Sequence, residues 1–224
     1  MKNGPLFFLG LLIAIAISWG GLVLGSHAQL SSLAPYFDDT QGQSYPARMN
    51  GIAARGQLVY ADLGCAACHT QQARRGDFGS DKARGWGDRQ SVARDYIYQP
   101  RPQLGASRFG PDLATYGARV EKNADATTQV YNFLYTGSAT HPSYKFLFEQ
   151  VEKTNAFQCK FQSFFMPITG QPSAKALKLS GIPAGEQVVP TERAQSLAAY
   201  LLSLSHSFQY PEAAPYVPAA GAKH

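Results

Sequence analysis

The chain has 224 residues, 45% of them hydrophobic, with 21 glycines and 14 prolines. One long apolar run lies at the N-terminus and no second one follows, so the rest is enough chain for one compact soluble domain with long loops. The net charge of +5 is scattered and forms no basic stripe, which argues against a nucleic-acid partner.

Leu6 to Leu24 reads LFFLGLLIAIAISWGGLVL without a charge. A helix needs about 20 apolar residues to cross a bilayer core, so this run predicts a single-pass anchor in membrane lipid. Lys2 is the charge ahead of it, and positive-inside logic places the short N-terminus in the cytoplasm and everything after the anchor outside. A cleaved signal peptide is the competing reading, because Ser26-His27-Ala28 resembles a small-x-small cleavage site, although a signal core is normally shorter. Trp19 and the pair Gly20-Gly21 near the outer end fit an interface anchor and a close helix-packing spot, or simply a lipid-facing surface. Residues 1–26 are assigned to the anchor and 27–50 to a linker.

Gly51 to Leu63 (GIAARGQLVYADL) has helical apolar spacing at Ile52, Leu58, Val59 and Leu63 and runs directly into Cys65-Ala-Ala-Cys68-His69. Cys-x-x-Cys-His is the attachment site of a c-type haem: two thioether bonds at Cys65 and Cys68, with His69 reaching the iron. A thioredoxin-like pair is the alternative, but it expects a βαβ pattern and a cytosolic setting. The motif occurs once, so one covalently attached haem c is expected, outside the cytoplasmic membrane.

Thr70 to Leu113, rich in Gly, Arg, Pro and Gln, reads as loop around that cofactor. Arg74, Arg75, Lys82, Arg84, Arg89, Arg94, Arg101 and Arg108 are scattered through it, suited to haem propionates, to an acidic partner or to plain solvation. Ala126 to Tyr135 reads as a further helix. Thr191 behind Pro190 caps a closing helix with Ala194, Leu197, Ala198, Leu201 and Leu202 on one stripe through about Ser205. The Pro/Ala-rich tail from Tyr210 reads as extended or disordered. These elements predict an all-α class: one transmembrane helix, a cytochrome c-type domain over 51–208 with long loops, and a tail over 209–224.

Five segments in order carry a specific likeness: the anchor with SHAQL, GQLVYADLGCAACHTQ, SRFGPDLATYG (Ser107 to Gly117), HPSYKFLFE (His141 to Glu149) and VVPTERAQSLAAYLLSL. On these the chain resembles the membrane-anchored monohaem cytochrome c subunit, subunit II, of cbb3-type haem-copper oxidases. The resemblance implies a bacterial inner-membrane protein with its haem domain on the periplasmic side. It implies a catalytic haem-copper subunit, a further cytochrome c subunit and a soluble cytochrome donor as partners. It also implies that the Pro111 carbonyl orients His69, and it makes Arg108 a candidate propionate partner.

The chain departs from the family at the sixth iron ligand. The family pattern has a methionine in Met-Pro-x-Tyr, where this sequence has His141-Pro142-Ser143-Tyr144. A neutral imidazole binds haem iron well, and Pro142 favours an extended ligand loop, so His141 is one candidate. Met166, in Phe164-Phe165-Met166-Pro167 at an apparent insertion, Gln150 to Phe165, that the family does not have, is the other. An iron with no protein ligand at the sixth position is the third. His27, His206 at the end of the last helix and terminal His224 read as structural. Cys159 is left over as a free thiol once the other two cysteines hold haem.

The expected role is a non-catalytic electron carrier that feeds a terminal oxidase reducing oxygen. The alternatives are the cytochrome subunit of a nitric oxide reductase-type complex, a haem enzyme or sensor with an open sixth position, and a freestanding anchored shuttle.

Overall fold

The computed structural model describes residues 3–76, 79–120, 125–152, 177 and 186–214. The chain divides into two compact units, Met1–Ala47 with Val92–Pro100, and Arg48–Ser91 with Arg101–His224. Cys159, Met166 and nearly all of the apparent insertion lie outside the described residues.

In the first unit, α1 (Gly4–Trp19) passes through a π-helical turn (Gly20–Gly25) into α2 (Ser26–Leu30), one continuous helix of 27 residues. At 1.5 Å per residue this is about 40 Å, longer than a bilayer core. None of its side chains is buried by the protein. A helix apolar on every face, with its backbone bonds internal, is what a lipid environment requires. The π turn coincides with Gly20, Gly21 and Gly25, where the absence of side chains lets the helical ladder change register.

The segment read as a linker holds a small antiparallel hairpin of β1 (Tyr36–Asp38) and β2 (Gln43–Tyr45), pairing Tyr36 with Tyr45 and Asp38 with Gln43. Asp38 accepts from the Thr40 amide at 2.9 Å and the Thr40 hydroxyl at 2.7 Å, which closes the turn. Val92–Pro100 contributes a 3-10 turn, Ala93–Tyr96, in which Asp95 accepts from the Val92 amide at 2.9 Å and Arg94 donates to the Ala34 carbonyl.

The second unit is built on two capped helices. Asn50 accepts from the Ala53 amide at 2.8 Å and starts α3 (Gly51–Asp62). The last is α6 (Glu192–Ser203), started by Thr191, whose hydroxyl accepts from the Ala194 amide and donates to the Leu147 carbonyl at 2.7 Å. The two helices meet at Gly56, where a Cβ would fall on the Ser196 carbonyl and within 2.7 Å of the Tyr200 Cβ. Tyr60 and Tyr200 pack edge to face with centroids 5.4 Å apart. Arg55 pairs with Glu192 and Arg193 with Asp62, two exposed ion pairs that add little beyond register.

Two shorter helices, α4 (Tyr116–Val120) and α5 (Ala126–Thr136), pack on α6. A second antiparallel pair follows, β3 (Phe148–Glu152) with β4 (Glu186–Pro190), in which Phe148 lies opposite Pro190 and Gln150 opposite Val188. Leu177 bridges to Val188 on the outer side of β4. The core gathers Tyr60, Leu113, Val130, Leu134, Leu147, Leu197, Tyr200 and Leu204.

Three sequence expectations need correction. The described residues are mostly helical, but two small two-stranded sheets accompany the helices, each formed by a short aromatic or β-branched stretch too brief to register as a strand. The buried face of α3 is Ala53, Gly56, Gln57 and Tyr60, and Leu58 stands 69% exposed. Gly56 and Gln57 hide that face from a hydrophobic reading, because one buries by having no side chain and the other through its polar bonds. Finally, α6 stops at Ser203, so His206 lies beyond it, with its amide donating to the Ala114 carbonyl at 3.0 Å.

Candidate haem site

The end of α3 positions the CxxCH segment. Gly64, in the left-handed region at φ 71°, turns the chain out of the helix into a 3-10 turn, Cys65–Ala67. The Cys68 and His69 amides both donate to the Cys65 carbonyl, at 3.2 and 3.0 Å, which folds the five residues into a tight loop. Burial pushes the Cys65 thiol up to about 11. A disulfide-exchange cysteine needs the opposite shift, usually at a helix N-terminus, so the thioredoxin-like alternative has no support in this geometry. Among the described residues no three His, Cys, Asp or Glu side chains cluster to hold a bare metal ion.

Leu104 to Leu113 is stitched along the motif by backbone bonds. The Gln71 amide donates to the Leu104 carbonyl at 3.0 Å, the Gly110 amide to the Cys68 carbonyl at 2.9 Å, and the Leu113 amide to the Thr70 carbonyl at 2.8 Å. This brings the Pro111 carbonyl to His69, whose Nδ1 donates to it at 2.8 Å. Two glycines make the approach possible. A Cβ at Gly105, which sits at φ 78°, would collide with the His69 backbone, and one at Gly110 would lie in the His69 ring. Asp112 anchors the loop: fully buried, it accepts from the Thr70 hydroxyl at 2.6 Å and from the Gln72 and Ala114 amides at 2.8 Å each.

Arg108 lies beside this loop. Its Nη1 pairs with Asp81 at 2.5 Å, and its Nη2 donates to the Gln72 carbonyl at 2.6 Å and lies 3.6 Å from Asp112. Its buried Nε has no hydrogen-bond partner among the described residues. The guanidinium is thus already flanked by two carboxylates, with its Nε donor unengaged. Arg89, another of the arginines read as candidates, is buried and donates to the Phe208 carbonyl at 2.5 Å, so it is committed to the interior.

His141 faces the motif from the segment after α5. Its ring centroid lies 6.1 Å from that of His69, 4.6 Å from Phe133 and 5.8 Å from Tyr144. Its Nδ1 donates to the Pro142 carbonyl at 2.9 Å, and burial holds its pKa below the ordinary histidine value. Tyr144 also reaches the Cys65 thiol, tying the His141 segment to the motif. Phe133, Asp81 and Asp112 are the neighbours that sequence reasoning missed. Asp112 carried a signal in Gly-Pro-Asp-Leu, whereas Phe133 and Asp81 carried none.

A helix running into CxxCH, crossed by the C-terminal helix and closed over its histidine by a proline carbonyl, defines a cytochrome c-type domain. The residues suit the cofactor: two thiols and a histidine with its Nδ1 engaged and its Nε2 left for iron. Over residues 3–200 the chain matches the family described as cytochrome c oxidase, mono-heme subunit/FixO. The protein therefore belongs to that family, as a subunit of a cytochrome c oxidase complex that carries one haem and works with a catalytic oxidase partner. The match favours an oxidase over the nitric oxide reductase alternative. None of the curated proteins compared with the chain matches it.

Proposed function

We propose that this chain is the membrane-anchored electron-transfer subunit of a cbb3-type oxidase, carrying one haem c covalently bound through Cys65 and Cys68 with His69 as proximal ligand. The observation that carries the reading is the His69 Nδ1 donor bond to Pro111 at 2.8 Å beside two thiols in one tight loop. That bond sets the tautomer, aims Nε2 away from the loop and raises the ligand's basicity. Bound there, the haem supplies a one-electron iron couple. The protein supplies attachment, orientation and partial exclusion of water, and transforms no small molecule itself.

Arg108 is the candidate partner for a propionate through its unengaged Nε, with Asp81 and Asp112 fixing its plane. The apolar helix from Gly4 to Leu30 anchors the chain, and Lys2 ahead of it favours a cytoplasmic N-terminus with the haem domain in the periplasm. Residues 1–26 serve as anchor, 51–208 as the cytochrome domain and 209–224 as a tail; the catalytic subunit, a further cytochrome c subunit and a soluble cytochrome donor are the partners.

The test is expression with the haem-attachment machinery, followed by intact-mass and pyridine haemochromogen measurements. One haem per chain, lost when Cys65 and Cys68 are both changed to alanine, is expected. Copurification with a haem-copper subunit, and oxidation of the reduced protein by that subunit, test the electron-transfer role. A chain that attaches no haem, or a reduced haem that the oxidase cannot oxidise, overturns the proposal.

A further inference from the structure

We infer that His141 is the second axial ligand of the haem, so that two imidazoles hold the iron of this chain; the inference rests on the haem reading above and deepens it. Two imidazoles on one ion, each with its nitrogen about 2 Å from the metal and its ring centre roughly 1 Å further, place their centroids about 6 Å apart. The His69 and His141 rings stand at 6.1 Å.

The hydrogen bonds agree with the spacing. A carbonyl oxygen only accepts, so the bonds from His69 to Pro111 at 2.8 Å and from His141 to Pro142 at 2.9 Å place the proton on Nδ1 in both rings. Each histidine is left with a bare Nε2 lone pair, which is the form that binds iron. Matching tautomers at matching distance, on two segments 72 positions apart in the chain, are what a shared metal needs.

The His141 segment is built to hold the ring still. Gly137 ends α5 at φ 67°, where a Cβ would come within 2.7 Å of the His141 carbonyl and 2.9 Å of the Ser143 amide. The Ser138 amide donates to the His141 carbonyl at 2.9 Å, and the His141 amide to Ser138 at 3.3 Å, closing a two-way bridge. Phe133 and Tyr144 flank the imidazole, and Tyr144 is itself fixed by its amide bond to the Leu134 carbonyl at 2.7 Å. Pre-set geometry of this kind spares the ordering cost of ligation.

Imidazole in place of a thioether stabilises ferric iron relative to ferrous and lowers the potential. With both axial positions taken by protein, small exogenous ligands must displace a histidine to bind.

The experiment uses the full chain in mild detergent. A pyridine haemochromogen spectrum first establishes thioether-linked haem; without it both this inference and the reading beneath it fall. Low-temperature EPR and near-infrared magnetic circular dichroism of the ferric protein should then show a low-spin bis-imidazole signature and no sulfur-to-iron charge-transfer band. His141→Met should gain that band and shift the midpoint potential upward. His141→Ala should turn high-spin and return to low-spin on adding imidazole. A sulfur band or a high-spin ferric spectrum in the unmodified chain, or a His141→Ala spectrum identical to it, overturns the ligand assignment while leaving the haem c reading intact.

Discussion

The Pro111 carbonyl and the His69 ring are joined across a loop-to-loop contact of 2.8 Å, and Gly110 is the residue that lets them meet. A Cβ at Gly110 would sit 2.6 Å from the His69 Nδ1 and 2.8 Å from its Nε2. Gly110→Ala should therefore rotate the imidazole off the Pro111 carbonyl without removing any chemical group. The expected outcome is retained haem attachment with a weaker proximal bond, read in a His141→Ala background, where the ferrous iron is five-coordinate, as a lower iron–histidine stretching frequency by resonance Raman. An unchanged frequency would mean that the loop relaxes around the methyl group.

The crossing of α3 and α6 depends on the missing side chain of Gly56. Its position faces the Ser196 backbone, which cannot swing aside as a side-chain terminus can. Gly56→Ala should cost about 3 kcal/mol by overpacking. Gly51→Ala, at the first residue of the same helix with open space around it, should be neutral or stabilise by about 0.5 kcal/mol. Denaturant midpoints of the two variants against the parent protein separate a steric cost from a helix-propensity effect.

The crossing also shows what could be read from the chain alone. Thr191 announced its helix, and apolar spacing placed α5 and α6 within two residues of their observed ends; the Asn50 cap of α3 became evident only in the structure. The face of α3 did not announce itself, since its contact residue is a glycine and its neighbour a buried glutamine. CxxCH stood out as a motif because its residues are adjacent, whereas the contact of Pro111 with His69 was implied only by the family resemblance. Asp81 pairing with Arg108, and Phe133 against His141, were not legible, because tertiary folding alone brings them together. The short strands escaped for a related reason: three to five residues carry too few periods of alternation to outweigh the loop-like composition around them.

Asp81 should give the domain a pH-dependent stability. Burial alone would raise its carboxyl, but the hydrogen bond and charge of Arg108 and the Arg74 amide outweigh that and hold it below the ordinary 3.8. A carboxylate with a depressed folded value contributes stability above its unfolded value and loses it as pH falls through the folded one. Asp81→Asn should cost about 2–4 kcal/mol at neutral pH, because it leaves the mostly buried Arg108 short of a counter-charge. The gap between variant and parent should narrow only below pH 3.8. Urea titrations across the acid range test this, and a gap constant down to the acid transition would count against the ion pair.

Tyr200 is fully buried, and its hydroxyl donates to the Gln71 side chain at 2.8 Å. Burial pushes the phenol up to about 12, so it adds stability that is complete below the ordinary 10.0 and fades as pH rises towards that raised value. Tyr200→Phe removes the donor to a buried amide and should cost about 1–2 kcal/mol near neutrality. In the parent protein the Tyr200 and Tyr60 phenolates should appear only together with alkaline unfolding. A phenolate titrating early, before the far-ultraviolet dichroism changes, would contradict the burial.

The remaining prediction separates anchor from signal peptide. A small-x-small cleavage site must be presented as extended chain, yet Ser26-His27-Ala28 lies inside α2, continuous with the apolar helix before it. The helix is exposed and apolar on every side, so removing it from water favours the bilayer by far more than any contact it makes with its own unit. Intact-mass analysis of the membrane-extracted protein should therefore find the N-terminal helix still attached, and alkaline carbonate should fail to release the chain. Placing arginine at Leu12, near the middle of the run, should weaken insertion by about 3 kcal/mol and release a measurable fraction. A mature chain beginning just after Ala28 would instead mark the helix as a leader, and the haem domain would then have to be held to the membrane by its oxidase partner alone.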